Sequence, residues 1–337
     1  MRPKFRFDFL QPAYKAMKAT TPLQCSPDMT AFAAGVEMGR QGRHSMVVLS
    51  PKTGRLAGIL SERDFLTKLP LKRGAAHEAR VADLMTPVYD ITLGRASCTS
   101  EDVVRRMRRC SISTFPLVED DGETVRAVVN MRDIAEQIFN QLNENRDVDG
   151  ADVSVGEMMD FHAKAKRDGD VRGTRVSLPP FATVKEAVEL MRSNGAGSLI
   201  IFAPNVATHS HFVVSNTFGL FTVRDYLNAI HLYDDRDPED IELFEVARFS
   251  KGNSKTTMKE IHDLPTIAHD FTPDAITAVT RDTSIRDCLS LMLGNSLLYA
   301  PITENKTPID VVSLRDINLF LAPVAEKAAD QAAAAAE

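Results

Sequence analysis

The sequence predicts an α+β fold built from four copies of one unit, and three recurring features predict it. A short apolar strand ends four times in a polar residue followed three positions later by aspartate: GILSERD at 58–64, AVVNMRD at 127–133, GLFTVRD at 219–225 and DVVSLRD at 310–316. Upstream of each lies a polar or proline-containing stretch that opens an amphipathic helix. Between the two sits a compact run of β-branched and aromatic residues, SMVVL, TFPLV, SLIIF or LLYAPI, too short for a helix. A repeat fixes the architecture before any element is assigned, because every copy must bury the same faces.

Taken in chain order, each unit begins with its helix: CSPDMTAFAAGVEM at 25–38, SCTSEDVVRRM at 97–107, LPPFATVKEAVELM at 178–191 and TRDTSIRDCLSLM at 280–292. Val184, Ala187, Val188 and Met191 fall at i, i+3, i+4 and i+7, which is one helical face. The apolar run then forms a strand, and a turn such as SPKTG or EDDGE returns the chain into a second strand. That strand ends at Ser61, Asn130, Thr222 or Ser313, where a helix starts with Asp64, Asp133, Asp225 or Asp316 in its first turn. An arginine precedes each aspartate. The predicted order is strand, helix, strand, strand, helix.

A serine or threonine three residues before an acid is a capping box, in which the hydroxyl accepts from the N3 amide and the acid from the cap amide. The same geometry suits a ligand. Free amides and the partial positive charge at a helix start attract phosphate, and a carboxylate there can accept two hydrogen bonds from a ribose diol. The two readings are compatible.

Composition narrows the function. The 337 residues are 44% hydrophobic and 26% charged, as in a globular chain of two or three domains. A net charge of −6 and the lack of aromatic platforms argue against nucleic acid as a partner, and no apolar stretch is long enough for a membrane span. The scattered Cys25, Cys98, Cys110 and Cys288 are read as reduced thiols of an intracellular protein. The expected location is cytoplasmic, with mitochondrial as the alternative because Arg2, Lys4, Arg6, Lys15 and Lys18 make the N-terminus basic. His209 and His211 form half a metal site with no third ligand nearby, so no metal is expected. Arg105, Arg106 and Arg109 lie opposite Val103, Val104 and Met107, as on a solvated helix face. Asp237 and Pro238 are placed as N-cap and first residue of a connecting helix. No nucleophile elbow, Walker loop, zinc-protease or dinucleotide motif occurs, and the repeats use nearly the whole chain, so no enzyme activity is expected.

The unit, its S/T-x-x-D ending and the lead-in VADLMTPVYDI at 81–91, with a weaker copy SVGEMMD at 154–160, resemble the CBS domain over roughly residues 15 to 322. The resemblance implies four CBS repeats arranged as two pseudo-twofold tandem modules, similar to the gamma subunit of AMP-activated protein kinases. The expected boundaries are an extension at 1–14, a first pair at 15–143 with repeats near 15–75 and 81–143, and a linker at 144–152. A second pair follows at 153–322 with repeats near 153–235 and 256–322, then an alanine-rich tail at 323–337. Within each pair the sheets are expected to pack through helices.

The resemblance also implies a regulatory subunit that binds AMP, ADP, ATP or a related adenosyl compound and acts on a regulated protein such as a kinase or other multi-subunit complex. Ser61 would face phosphate and Asp64 ribose, with Arg43 and His44 as basic residues before the middle strand. Thr222 with Asp225, Ser313 with Asp316 and Asn130 with Asp133 would serve the other copies. Gly58 and Gly219 keep the family's glycine, which lets a ligand approach the backbone, whereas Ala127 and Asp310 depart from it and Asn130 replaces the hydroxyl. The first site is therefore ranked above the second. A structural scaffold with degenerate sites is the alternative.

Overall fold

In a computed structural model the described residues are Ala13, 22–144, 153–166, 177–179, 181–207, 213–246, 248–251, 254–257, 278–305 and 307–321. The basic residues of the N-terminal arm, the linker residues 145–152, His209, His211 and the alanine-rich tail lie outside them.

The first unit runs β1 (Gln24–Cys25), α1 (Ala31–Arg40), β2 (Ser45–Leu49), β3 (Leu56–Ser61) and α2 (Glu62–Lys68). Two short helices, α3 (Ala75–Glu78) and α4 (Val81–Leu84), and β4 (Thr86–Pro87) lead into the second unit. It comprises β5 (Gly94–Arg95), α5 (Ser100–Arg109), β6 (Thr114–Val118), β7 (Val125–Asn130) and α6 (Met131–Glu144). After α7 (Val155–Lys166) the third has β8 (Ser177–Leu178), α8 (Val184–Ser193), β9 (Ser198–Ala207), β10 (Val213–Thr222) and α9 (Val223–Asn228). Helix α10 (Leu243–Val246) and the hairpin β11 (Arg248–Lys251) and β12 (Ser254–Thr257) follow. The fourth has α11 (Ile285–Gly294), β13 (Tyr299–Glu304), β14 (Thr307–Ser313) and α12 (Leu314–Leu321).

The first strand pairs parallel with the middle one in every unit: Gln24 with Val47, Gly94 with Leu117, Ser177 with Ile200, and in unit four a single bridge from Val279 to Ile302. Parallel neighbours need a crossover, and the amphipathic helix supplies it. The middle and last strands form antiparallel hairpins that set Ser61 opposite Ser45, Asn130 opposite Thr114, Thr222 opposite Ser198 and Ser313 opposite Tyr299. This register brings the residues before each middle strand beside the start of the last helix. Between first helix and middle strand the backbone turns left-handed at Gly42, Ser111, Gly195 and Ser296, with φ of 62, 55, 59 and 56°.

The units are covered in an order the sequence does not show. Helix faces of units one and three share one core, where Ala34, Met38, Phe65 and Leu66 pack with Val188, Met191, Tyr226 and Leu227. Units two and four share another, with Val104, Ile134 and Ile138 against Leu289, Ile317 and Phe320. The Asn318 amide, 1% exposed, donates to the Met131 carbonyl across it at 2.7 Å. Full burial of one such aliphatic or aromatic side chain contributes about 1.5–3 kcal/mol, so these two cores hold the halves together. Within the first pair the sheets meet directly: Val47, Leu56 and Val118 form a small core with Leu49, Leu93, Val125 and Val128. Strands β9 and β14 meet likewise in the second. The expectation that the sheets of a pair pack through helices is thereby corrected. Periodicity marks which face of a helix is apolar and leaves open which unit covers it.

A second correction concerns Asp237. No helix starts there; its carboxylate accepts from the Arg73 backbone at 2.7 Å, and the carbonyls of Pro238 and Ile241 accept from Lys185 and Val184. Residues 238–241 are held as a cap on α8, and the helix begins only at Leu243. The arginine-rich face of α5 is exposed and its apolar face buried, as expected.

Candidate functional site

Each of the four turns forms the cap expected of it. Asp64 Oδ2 accepts from the Ser61 amide at 2.8 Å and its hydroxyl at 2.6 Å. Asp225 accepts from the Thr222 amide at 2.9 Å and hydroxyl at 2.7 Å, and Asp316 from the Ser313 amide at 3.0 Å and hydroxyl. In the second unit the Asn130 side chain cannot give Asp133 a hydroxyl. Its carbonyl oxygen accepts from the amides of Arg132 and Asp133 at 2.8 and 3.2 Å, and Asp133 accepts from the Asn130 amide at 2.8 Å.

Beyond the cap the copies diverge. Asp64 is 8% exposed, and its other oxygen accepts from Lys68 Nζ at 2.7 Å and Thr86 Oγ1 at 3.4 Å. Lys68 also donates to the carbonyls of Leu84 and Met85 at 2.6 and 3.3 Å. Both oxygens of Asp64 are engaged by its own chain, and Lys68 ties it to the lead-in of the second unit. Gly58 serves the same contact: a Cβ there would lie 2.7 Å from the Thr86 carbonyl and 2.8 Å from Met85 Sδ. The glycine read as an opening for a ligand admits the chain's own connector instead.

Asp133 has the contrasting environment. It is half-buried, and among the described residues it accepts a hydrogen bond only from the Asn130 amide. Burial pushes its carboxyl up to about 6, the nearby Glu136 adds to the rise, and the charges of Arg43 and His44 oppose it. Arg43 and His44 belong to unit one and Asp133 to unit two, whose sheets meet directly. His44 Nδ1 lies 3.0 Å from Glu62 Oε2 and 2.7 Å from Arg224 Nη2 of the third unit. An acid with a single hydrogen bond and basic side chains near it suit a ribose and a phosphate.

In the second pair the position is filled differently. Tyr299 lies over Gly197, where a Cβ would fall 2.0 Å from its hydroxyl, so no larger residue fits at 197. Burial, with the carboxylates of Glu62 and Asp316 near it, pushes the Tyr299 phenol up to about 12. Asp316 is half-buried like Asp133, and Asp225 is buried like Asp64. Arginines before the aspartates, noted in the sequence without a role, reach across the halves at three of the four turns: Arg63 donates to the Gly195 carbonyl at 3.1 Å, Arg132 to that of Leu293 at 2.9 Å, and Arg224 to unit one. Their fourfold recurrence was the available signal. Among the described residues no three His, Cys, Asp or Glu side chains converge as metal ligands, and no helix is long and apolar enough to cross a membrane.

The sequence profile of the CBS domain matches residues 16–71, 81–140 and 268–322, just over half of the chain. The chain belongs to the CBS domain family. The third unit lies outside those matches but has the same strand, helix, strand, strand, helix order. The CBS domain-containing protein CBSX3, mitochondrial, of Arabidopsis thaliana is 27% identical over 117 residues, which are 32% of this chain and 57% of that protein. The match thus spans a little over half the length of that relative. Among solved structures, MJ1225 of Methanocaldococcus jannaschii, described as a candidate archaeal homologue of g-AMPK, superposes with a TM-score of 0.64 at 13% identity. It covers 91% of this chain and 99% of its own, a likeness of fold over most of the chain. These matches indicate no catalytic family.

Proposed function

We propose that the protein is a non-catalytic regulatory subunit that binds an adenine nucleotide in the cleft between its first two CBS repeats and transmits occupancy to a partner protein. The observation that carries this is Asp133: a half-buried acid with one hydrogen bond among the described residues, within the influence of Arg43 and His44. A ribose diol would donate to Asp133, and the phosphate of AMP, ADP or ATP would meet the two basic side chains. The g-AMPK description of the archaeal structure fits a partner of kinase type, and the location of the Arabidopsis relative fits the mitochondrial alternative. The test is a thermal-shift and calorimetric titration of the full chain with AMP, ADP and ATP. A ligand selective for the native state raises the melting temperature by mass action; no shift and no heat at millimolar concentration rejects the reading.

A second reading, a scaffold subunit with degenerate clefts, is favoured by Asp64, whose oxygens are both taken by Ser61, Lys68 and Thr86. It becomes the better account if no adenosyl ligand binds.

A further inference from the structure

Three of the four arginines before the aspartates, Arg63, Arg132 and Arg224, reach the unit stacked on their own, and Arg224 goes further than the contacts already described for Arg63 and Arg132. Its guanidinium donates to the carbonyls of Met38 at 3.3 Å and Arg43 at 2.8 Å, which bracket the left-handed turn of unit one. The same guanidinium meets His44 Nδ1 and forms an ion contact with Glu62. Glu62 is 7% exposed and is shared between Arg224 and His44. One buried carboxylate thus lies between a guanidinium from one half of the molecule and an imidazole from the other.

We infer that Arg224, lent from the third CBS repeat, is a phosphate-reading residue of the Asp133 cleft, and that Glu62 stands in for the phosphate while the cleft is empty. This rests on the reading of that cleft as a nucleotide site. Arg43 and His44 already act on Asp133, and Arg224 is hydrogen-bonded to both residues. A phosphate carries more charge than one carboxylate and presents several acceptor oxygens, and a guanidinium fork matches it with two donors. A phosphate that entered would compete with Glu62 for Arg224 and His44. Because Arg224 precedes Asp225, the exchange would be felt at the cap of the third repeat, which links the two halves through the ligand.

Calorimetric titration of the full chain with AMP and with adenosine tests this in wild type, Arg224→Met and Glu62→Gln. In Arg224→Met, AMP is expected to bind about tenfold or more weakly, the loss of one charge-assisted contact, with adenosine within about twofold of wild type. In Glu62→Gln, AMP is expected to bind more tightly while adenosine is unchanged, because the competitor has lost its charge. An unaltered AMP-to-adenosine preference in Arg224→Met overturns the inference, and weaker AMP binding in Glu62→Gln overturns the competition. If Arg224→Met is unfolded at the titration temperature, Glu62→Gln decides alone. Wild type that binds neither compound rejects the nucleotide reading itself, whereas adenosine binding with an unmoved preference rejects only the role of Arg224.

Discussion

Asp64 and Asp133 hold the same place in two copies of one turn, yet one is bonded on both oxygens and the other accepts a single hydrogen bond among the described residues. Asp133→Ala is therefore expected to weaken AMP binding about ten- to a hundredfold, or roughly 1.5–3 kcal/mol, with Asp64→Ala within about threefold of wild type. Asp64→Ala should instead lower the melting temperature, because it removes a cap and leaves the Lys68 ammonium without its acid. Calorimetry beside a ligand-free melt separates the two, and equal losses of affinity would overturn the assignment. The order reverses the ranking drawn from sequence, which weighed Gly58 and the Ser61 hydroxyl and could not see Lys68, Met85 and Thr86 arrive from elsewhere. Titration gives a further handle. An acid raised from an ordinary 3.8 to about 6 binds its proton more tightly in the native state, so its contribution to stability is full below the ordinary value and lost as pH rises through about 6. Asp133→Asn keeps an acceptor for the Asn130 amide and removes the charge; it should stabilise the ligand-free protein at pH 7.5 and have no such advantage at pH 4. Melting curves across that range check it, and a gain that did not change with pH would show that the buried charge is not its source.

The elements themselves were legible from local pattern. Val184, Ala187, Val188 and Met191 are all buried on α8, and SMVVL and TFPLV are β2 and β6 residue for residue. What escaped was any feature set by a distant segment, such as Asp237, which meets Arg73 instead of opening a helix. The left-handed turns add a difference between copies: glycine stands at 42 and 195, serine at 111 and 296. A non-glycine residue in that region costs of order 1 kcal/mol or more. Ser111→Gly and Ser296→Gly are accordingly each expected to stabilise the chain by about 0.5–1 kcal/mol, and Gly42→Ala and Gly195→Ala to destabilise it. Denaturant melts of the four variants measure this, and a loss of stability in both serine variants would contradict it.

At the scale of the whole molecule, four similar units were readable from the repeat, and the way they cover one another was not. Helix α6 carries the apolar face Ile134, Ile138 and Leu142 and finds its cover in unit four; α2 finds the cover for Phe65 and Leu66 in unit three. Residues 1–144 expressed alone would leave these faces bare, and are expected to self-associate at micromolar concentration, whereas sedimentation as a stable monomer would show that the stacking contributes little. Like is stacked on like: unit one on three and unit two on four, with glycine turns in one couple and serine turns in the other. The arrangement is that of two copies of a two-unit polypeptide related by an approximate dyad and joined end to end. The tether replaces an encounter between separate molecules with an intramolecular one, so the halves stay together at any dilution. It also releases them from identity. In an assembly of identical chains a substitution strikes both subunits at once, whereas here the turn at Asp64 is fastened by Lys68 while its counterpart at Asp225 keeps its own surroundings, and the two can diverge independently.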